Sequence, residues 1–173
     1  RLGEKGYKGA YTLVSLVGFG LMVFGFDQVR WNSPMLWSPP VWAKHGASLL
    51  MLVSLVLLAC AYAPRNAIKA KLHHPMVLSV KVWALAHLLA NPRLADVVLF
   101  GAFLLWSVLN FRAARQRDRL AAAATETGAE AAVPGPEVSA AATWRAIGIG
   151  VVVWAFLLSR GHTWLFGVSP LGM

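Results

Sequence analysis

The sequence predicts an all-α, polytopic transmembrane helix bundle with five helices, and three observations support this fold class. The 173 residues are 58% hydrophobic and 13% charged, with a mean hydropathy of +0.59, whereas a soluble domain carries about 25% charged residues. The apolar residues fall into five runs separated by Pro, Gly and basic residues. Most of the eight Trp lie near the ends of these runs, where a membrane protein places an interfacial aromatic belt.

The five apolar runs are the predicted membrane spans. They cover residues 9–26, 41–63, 75–90, 97–111 and 144–158, each boundary being approximate. Pro75 suits the first turn of the third helix. Gly18, Gly20 and Gly25 predict that the first helix packs closely against a neighbour.

We interpret residues 1–173 as a single membrane domain with a flexible cytoplasmic loop at about 113–143. That segment begins with a basic stretch and continues as a run rich in Ala, Glu, Thr, Gly and Pro without aromatic residues, a composition typical of flexible chain. The chain starts at Arg1 rather than Met. This start is what a fragment with a missing preceding segment would show.

The distribution of Lys and Arg predicts the orientation of the bundle. With alternating spans, eleven basic residues lie on one side and four on the other. The larger set, Arg1, Lys5, Lys8, Arg65, Lys69, Lys71, Arg112, Arg115, Arg117, Arg119 and Arg145, marks the cytoplasmic side. The net charge of +9 therefore reflects membrane topology, so we expect the lipid bilayer as a partner and no nucleic acid.

Ionisable residues within a membrane span are functional hypotheses by default, because inserting them costs free energy. His74 lies at the cytoplasmic start of the third helix, and His87 lies thirteen residues further on, roughly 20 Å along the axis. His87 is either a core histidine bonded to Asn91 or to a backbone carbonyl, or an axial ligand of haem or another metal. His45 and His162 fall at the same outer level as His87.

Three neighbours of His87 extend the pattern. Trp83, His87 and Asn91 recur at four-residue spacing and form one stripe of the helix. Lys81 lies on another face, where it either snorkels to the interface or pairs with an anionic group such as a propionate. His74 either caps the helix or contacts a cofactor.

A single haem cannot bridge the two histidines of this helix. Axial nitrogen ligands at about 2 Å from a metal lie about 4 Å apart, far less than the separation of His74 and His87. A partner for His87 must come from His45, His162 or a helix absent from this chain.

Several classes of function are excluded by motif. The chain lacks the GxxxxGK[ST], HExxH, CxxC and CxxCH patterns. Its single cysteine, Cys60, excludes an internal disulfide and a cysteine-based zinc site. With only seven carboxylates, acid–base catalysis by a carboxylate pair is not expected.

The sequence resembles the NnrU family of integral membrane proteins. The matching stretches include "RLGEKGYKGAYTLVSLVGFGLMVFG", "LWSPPVWAKHGASLLMLVSLVLLACAY", "NAIKAKLHHPMVLSVKVWALAHLLAN", "ADVVLFGAFLLWSV" and "HTWLFGVSP". The pattern HPM…K.WA.AHLLAN at 74–91 is the most specific part. Family members usually begin with one more apolar helix, so the resemblance implies six helices in the full protein. Family members are also similar to the plastid 15-cis-zeta-carotene isomerase, which binds haem b through histidines.

The resemblance implies a bacterial inner-membrane protein that supports nitrite and nitric oxide reduction in denitrification, with reductase components as partners. It implies haem b as the cofactor and His74 and His87 as metal ligands, supported by Lys81, Trp83 and Asn91. Two alternatives remain open. One is a haem-dependent membrane isomerase acting on a polyene or isoprenoid substrate, and the other is a non-catalytic assembly subunit.

Overall fold

A computed structural model describes residues 3–126 and 137–172. All regular secondary structure in this part of the chain is helical. The six helices are α1 (Glu4–Arg30), α2 (Val41–Tyr62), α3 (Ala67–Leu72), α4 (Pro75–Ala90), α5 (Leu94–Glu126) and α6 (Ala140–Phe166). Within α6, residues Leu157–Gly161 form a π-helical turn.

Each predicted apolar segment is a helix, but the predicted number of five helices is wrong because α3 forms where a basic loop was expected. Asn66 explains this short helix, since its side chain is buried and makes three hydrogen bonds. Its Oδ1 accepts from the backbone N–H of Lys69 at 2.8 Å, as an N-cap does. Its Nδ2 donates to the carbonyls of Cys60 at 2.8 Å and Ala63 at 2.6 Å, which ties α3 to the end of α2.

The flexible loop predicted at about 113–143 is helical over much of its length. Helix α5 continues to Glu126, well past the predicted end of its span, and α6 already begins at Ala140. The added part of α5 is rich in Ala, Arg, Gln and Leu, which are good helix formers. Residues 127–136 of the predicted loop lie outside the described residues.

Four of the described helices are long and apolar enough to cross a membrane, namely α1, α2, α5 and α6. Helix α4 is also apolar but has only 16 residues, or roughly 24 Å at 1.5 Å per residue. It packs between α2 and α5, while α2 packs on its other side against α6. The chain is therefore a multi-pass membrane protein.

The interfaces around α2 and α4 are built from small residues, whereas most large apolar side chains are exposed. This arrangement suits a bilayer, where lipid covers the outer surface and small residues let helices approach closely. Gly150 of α6 is the tightest position, because a Cβ there would lie 2.5 Å from the Cα of Val56. The small buried residues are Ala43, Ala47, Ser54, Ser79, Ala84, Ala86, Ala142, Ala146 and Gly150.

Helix α1 does not show the close packing that its glycines predicted. None of its residues is buried against the described part of the chain. A Cβ added at Gly18, Gly20 or Gly25 would meet nothing within 4 Å among the described residues. The helix makes few contacts with the other described helices: it meets α5, and Arg30 at its end donates to the carbonyl of Phe166 in α6.

The bundle has two chemically different ends. We call the end at which α1 and α4 finish the tryptophan end, because it carries Trp31, Trp42 and Trp164. We call the opposite end, which carries α3 and the start of α4, the basic end. The histidines of α4 lie at opposite ends, with His74 at the basic end and His87 at the tryptophan end.

Candidate cofactor site at the tryptophan end

The tryptophan end is held together by the connector that follows α1. Arg93 donates from Nη1 to the carbonyls of Trp31 at 3.1 Å and Ser33 at 2.9 Å. The Ser33 hydroxyl accepts from the backbone N–H of Ala95 at 2.8 Å. These bonds fix the start of α5 against the connector and so fix the α5 side chains that face α4.

His87 lies in an aromatic enclosure between α4 and α5. Its ring stacks on Phe100 with a centroid distance of 4.4 Å and lies 5.0 Å from the Trp83 ring. Phe103 meets Trp83 edge-on at 5.3 Å and extends the same wall. The stripe of Trp83 and His87 predicted from sequence therefore faces α5.

One nitrogen of His87 is engaged and the other is available. Nδ1 lies 2.9 Å from the backbone carbonyl of Trp83. A carbonyl only accepts hydrogen bonds, so in the neutral ring we assign the proton to Nδ1, and Nε2 keeps its lone pair. Metal-binding histidines are held in this way, with the second ring nitrogen donating to a carbonyl or carboxylate.

His162 has the same local arrangement. Its Nδ1 lies 2.7 Å from the carbonyl of Val168, and its ring lies 4.9 Å from the Phe166 ring. It directly follows the π-helical turn of α6, and such turns recur at functional sites because they change the direction of the side chains that follow. Buried Gly161 packs there against Phe156.

His87 and His162 belong to different helices but lie at the same end of the bundle, near the end of α4 and the end of α6. His45, the third histidine predicted at this level, is exposed on α2 and makes no hydrogen bond or ring contact with the described residues. We therefore take His87 and His162 as the candidate ligands at this end and call them the histidine pair.

Asn91 and Lys81 do not join this pair. Asn91 ends α4, and its backbone N–H donates to the carbonyl of His87 at 2.9 Å. The ring of His87 bonds to a backbone carbonyl rather than to the Asn91 side chain. Lys81 lies towards the basic end, with Nζ 6.0 Å from the centre of the Phe111 ring.

His74 has an acidic partner that the sequence analysis missed. Its Nε2 lies 2.9 and 3.1 Å from the two carboxylate oxygens of Asp118. Arg115 donates from Nη1 to the same carboxylate at 3.3 Å. The sequence signal for this partner is the spacing of Phe111, Arg115 and Asp118, which places them on one face of a helix. The loop predicted at about 113–143 includes the last two of these residues, so the sequence did not predict the contact.

Helix α5 continues beyond its predicted apolar span as residues 112–126, which we call the α5 extension. Asp118 lies on this extension, and its side chain is 30% exposed. Partial desolvation raises its pKa. The hydrogen bond with His74 and the charges of His74 and Arg115 outweigh that effect, so the pKa of Asp118 is lowered from its ordinary value. The contact ties the start of α4 to the α5 extension.

The donor set at the tryptophan end suits a cofactor better than a bare metal ion. Among the described residues there is no group of three or more His, Cys, Asp or Glu that could hold a metal. Structural and catalytic zinc sites need three or four protein ligands. Haem brings its own four equatorial nitrogens, so one or two histidines with a free Nε2 are sufficient.

Two clefts lie in the described part of the molecule away from these histidines. One of about 590 Å³ lies between α1 and α5 and is lined by Phe26, Val29, Val98 and Leu99, with Gln28 and Asn32 among its polar residues. The other, of about 420 Å³, lies between α2 and α6. No histidine lines either cleft.

The described structure is that of a polytopic helical membrane protein. It has helical spans, a core of small residues and a candidate cofactor site at the histidine pair. A family model described as NnrU protein matches residues 1–170. The chain therefore belongs to the NnrU family, which confirms the resemblance noted in the sequence. No curated protein and no solved structure gives a significant match.

Proposed function

We propose that this NnrU protein binds haem b at the tryptophan end through His87 and His162 and supports nitrite and nitric oxide reduction in the bacterial inner membrane. One observation carries the proposal. Both histidines engage Nδ1 with a backbone carbonyl, at 2.9 and 2.7 Å, and both lie at the tryptophan end. Each neutral ring thus has Nε2 available as a ligand.

The aromatic side chains around His87 and His162 suit the apolar ring of a haem. Phe100 is 7% exposed and stacks on His87, and Phe166 lies against His162. Aromatic side chains supply apolar faces with little conformational entropy to lose. When bound, haem with two histidine ligands would supply one-electron redox chemistry, with a potential set by these ligands and by burial.

The protein would orient the rings of the two histidines. The Trp83 carbonyl holds the tautomer and ring plane of His87, and the Val168 carbonyl does the same for His162. Phe100 restrains His87 from the side of α5. The expectation that His74 is also a metal ligand stays a prediction, but our proposal omits it because its Nε2 is bonded to Asp118.

A second function, assembly of a reductase complex without cofactor chemistry, is favoured by the α5 extension. This helix reaches Glu126, and exposed Arg112, Arg117 and Arg119 lie along it. A basic helix at the basic end offers a docking surface for acidic segments of a reductase component. The haem-dependent isomerase alternative uses the same histidine pair and differs only in substrate.

The spectrum of the purified full-length protein tests the cofactor. We expect a Soret band and a b-type α band in the reduced-minus-oxidised spectrum. His87→Ala and His162→Ala should each reduce haem content several-fold, whereas the matched control His45→Ala should retain it. A protein with neither a Soret band nor iron would overturn the haem proposal.

Complementation separates the functions. In a denitrifying host lacking the protein, His87→Ala should fail to restore nitrite and nitric oxide reduction if the cofactor is needed. Replacing Arg112, Arg117 and Arg119 with Gln should fail instead if docking is the main role. Conversion of a cis-polyene by the purified haem form, with normal denitrification in its absence, would favour the isomerase.

A further inference from the structure

Arg30, the last residue of α1, has a buried donor without a partner. Its Nε is inaccessible to solvent and makes no hydrogen bond to the described residues, while its side chain as a whole is 20% exposed. Buried polar groups are nearly always hydrogen-bonded, and leaving one unpaired is costly, more so for a charged group. Such a donor in a native protein indicates a ligand or another partner.

The rest of the Arg30 side chain is held firmly. Nη2 donates to the carbonyl of Phe166 at 3.2 Å, and the guanidinium lies 4.3 Å from the centre of the Trp31 ring. Asp27 is the nearest carboxylate, but its Oδ1 is 3.9 Å from Nε, too far for a hydrogen bond. The guanidinium is therefore held in position, and Nε is a donor without a hydrogen-bond partner among the described residues.

Arg30 belongs to the same end of the molecule as the histidine pair. Phe166 accepts its hydrogen bond and also lies against the His162 ring, 4.9 Å away. Arg93, another arginine at this end, differs because it uses its Nη1 on the carbonyls of Trp31 and Ser33. Arg30 is thus the arginine beside the proposed ligands with an unused buried donor.

We propose that Arg30 binds a carboxylate through Nε, and that this carboxylate is a propionate side chain of the haem. This inference rests on the proposed haem site. Arginine binds carboxylates with charge-assisted hydrogen bonds. Propionates are charged, so they need a cation or water at a membrane boundary rather than the apolar interior. Arg30 meets that need where α1 leaves its apolar run.

The test is a titration of haem-free full-length protein with haem and with haem dimethyl ester, whose propionates are neutral, followed at the Soret band. Wild-type protein should bind haem roughly 10- to 100-fold more tightly than the ester, the range that one or two hydrogen bonds to a charged group supply. Arg30→Gln should lose that preference and bind both porphyrins with the affinity that wild type shows for the ester. Asp27→Asn, the matched control, should keep the preference.

The outcomes separate the two proposals. Wild-type protein that binds haem and the ester equally would overturn the role of Arg30 and leave the haem site standing. Wild-type protein that binds neither porphyrin would overturn both. An Arg30→Gln protein that still prefers haem, or loss of the preference in Asp27→Asn instead, would assign the propionate to another group. The wild-type comparison remains decisive even if Arg30→Gln does not fold.

Discussion

The two histidines of α4 show how one helix can hold the same side chain for different purposes. His74 donates from Nε2 to a carboxylate of α5, and its side chain is 26% exposed. His87 bonds its Nδ1 to a carbonyl of its own helix and packs against Phe100 of α5. The neighbour presented by α5, a charged oxygen or an aromatic ring, sets the role of each histidine.

This difference separates a ring nitrogen that is engaged between two helices from one that has no hydrogen-bond partner among the described residues. The His74–Asp118 contact joins two helices and engages the nitrogen that a metal would otherwise use. The His87 contact is within one helix and leaves Nε2 unengaged. A histidine within a span is therefore better assessed by which nitrogen is engaged than by its depth.

The largest effect should come from removing Phe100, the aromatic side chain that stacks on His87. Phe100→Ala should destabilise the protein by about 3–5 kcal/mol if the cavity does not collapse, and should lower haem affinity at least tenfold. Phe100 is 7% exposed and touches both Trp83 and His87. Thermal unfolding in detergent and Soret titration would measure these changes.

Phe103→Ala is the matched control, because Phe103 contacts Trp83 and has no ring contact with His87 among the described residues. It should destabilise the protein comparably but affect haem affinity less. Equal losses of haem affinity in the two variants would mean that Phe100 acts through packing alone and not through its contact with His87.

An intermediate effect is expected at the other end of α4. Asp118→Asn should weaken the tie to His74 and increase hydrogen exchange in the α5 extension, while leaving the haem spectrum unchanged. Arg117→Gln, an exposed change on the same extension, is the control and should alter neither. A changed haem spectrum in Asp118→Asn would show that the two ends of α4 are coupled.

The pH dependence of this contact has a definite sign. Because the pKa of Asp118 is lowered in the folded protein, the contact contributes fully above the ordinary carboxyl pKa of about 3.9. It should be lost only as the pH falls through the lower folded value. Exchange in the α5 extension should therefore be unchanged by protonation of Asp118 between pH 7 and pH 5. An increase centred in that interval would contradict the assignment.

The smallest effect is expected at the hydrogen bond between α2 and α4. The buried Ser54 hydroxyl donates to the Ser79 carbonyl at 2.9 Å, and Ser54→Ala should cost about 0.6 kcal/mol, as interhelical hydrogen bonds in membrane proteins do. Ser159→Ala removes an exposed bond to the Phe156 carbonyl and should cost less. A loss above 2 kcal/mol for Ser54→Ala would show that α2 and α4 depend on this bond more than on their small residues.

Local patterns predicted much of the fold. Long apolar runs and the prolines that bound them located every apolar helix, because a membrane span must satisfy its own backbone hydrogen bonds and cover about 30 Å of hydrocarbon. The pattern also placed Trp83 and His87 on one helical face. Short α3 was missed because its stability comes from Asn66 bonding to the end of α2.

The sequence by itself determined that this is a multi-pass helical membrane protein with an isolated histidine in an apolar helix. Only the tertiary structure decided which partners its polar residues meet. Helix packing places His162, which follows a π-helical turn, at the same end as His87, and Asp118 reaches His74 because α5 continues beyond its apolar span. Contacts between helices depend on crossing geometry and register, which no spacing within a single helix records.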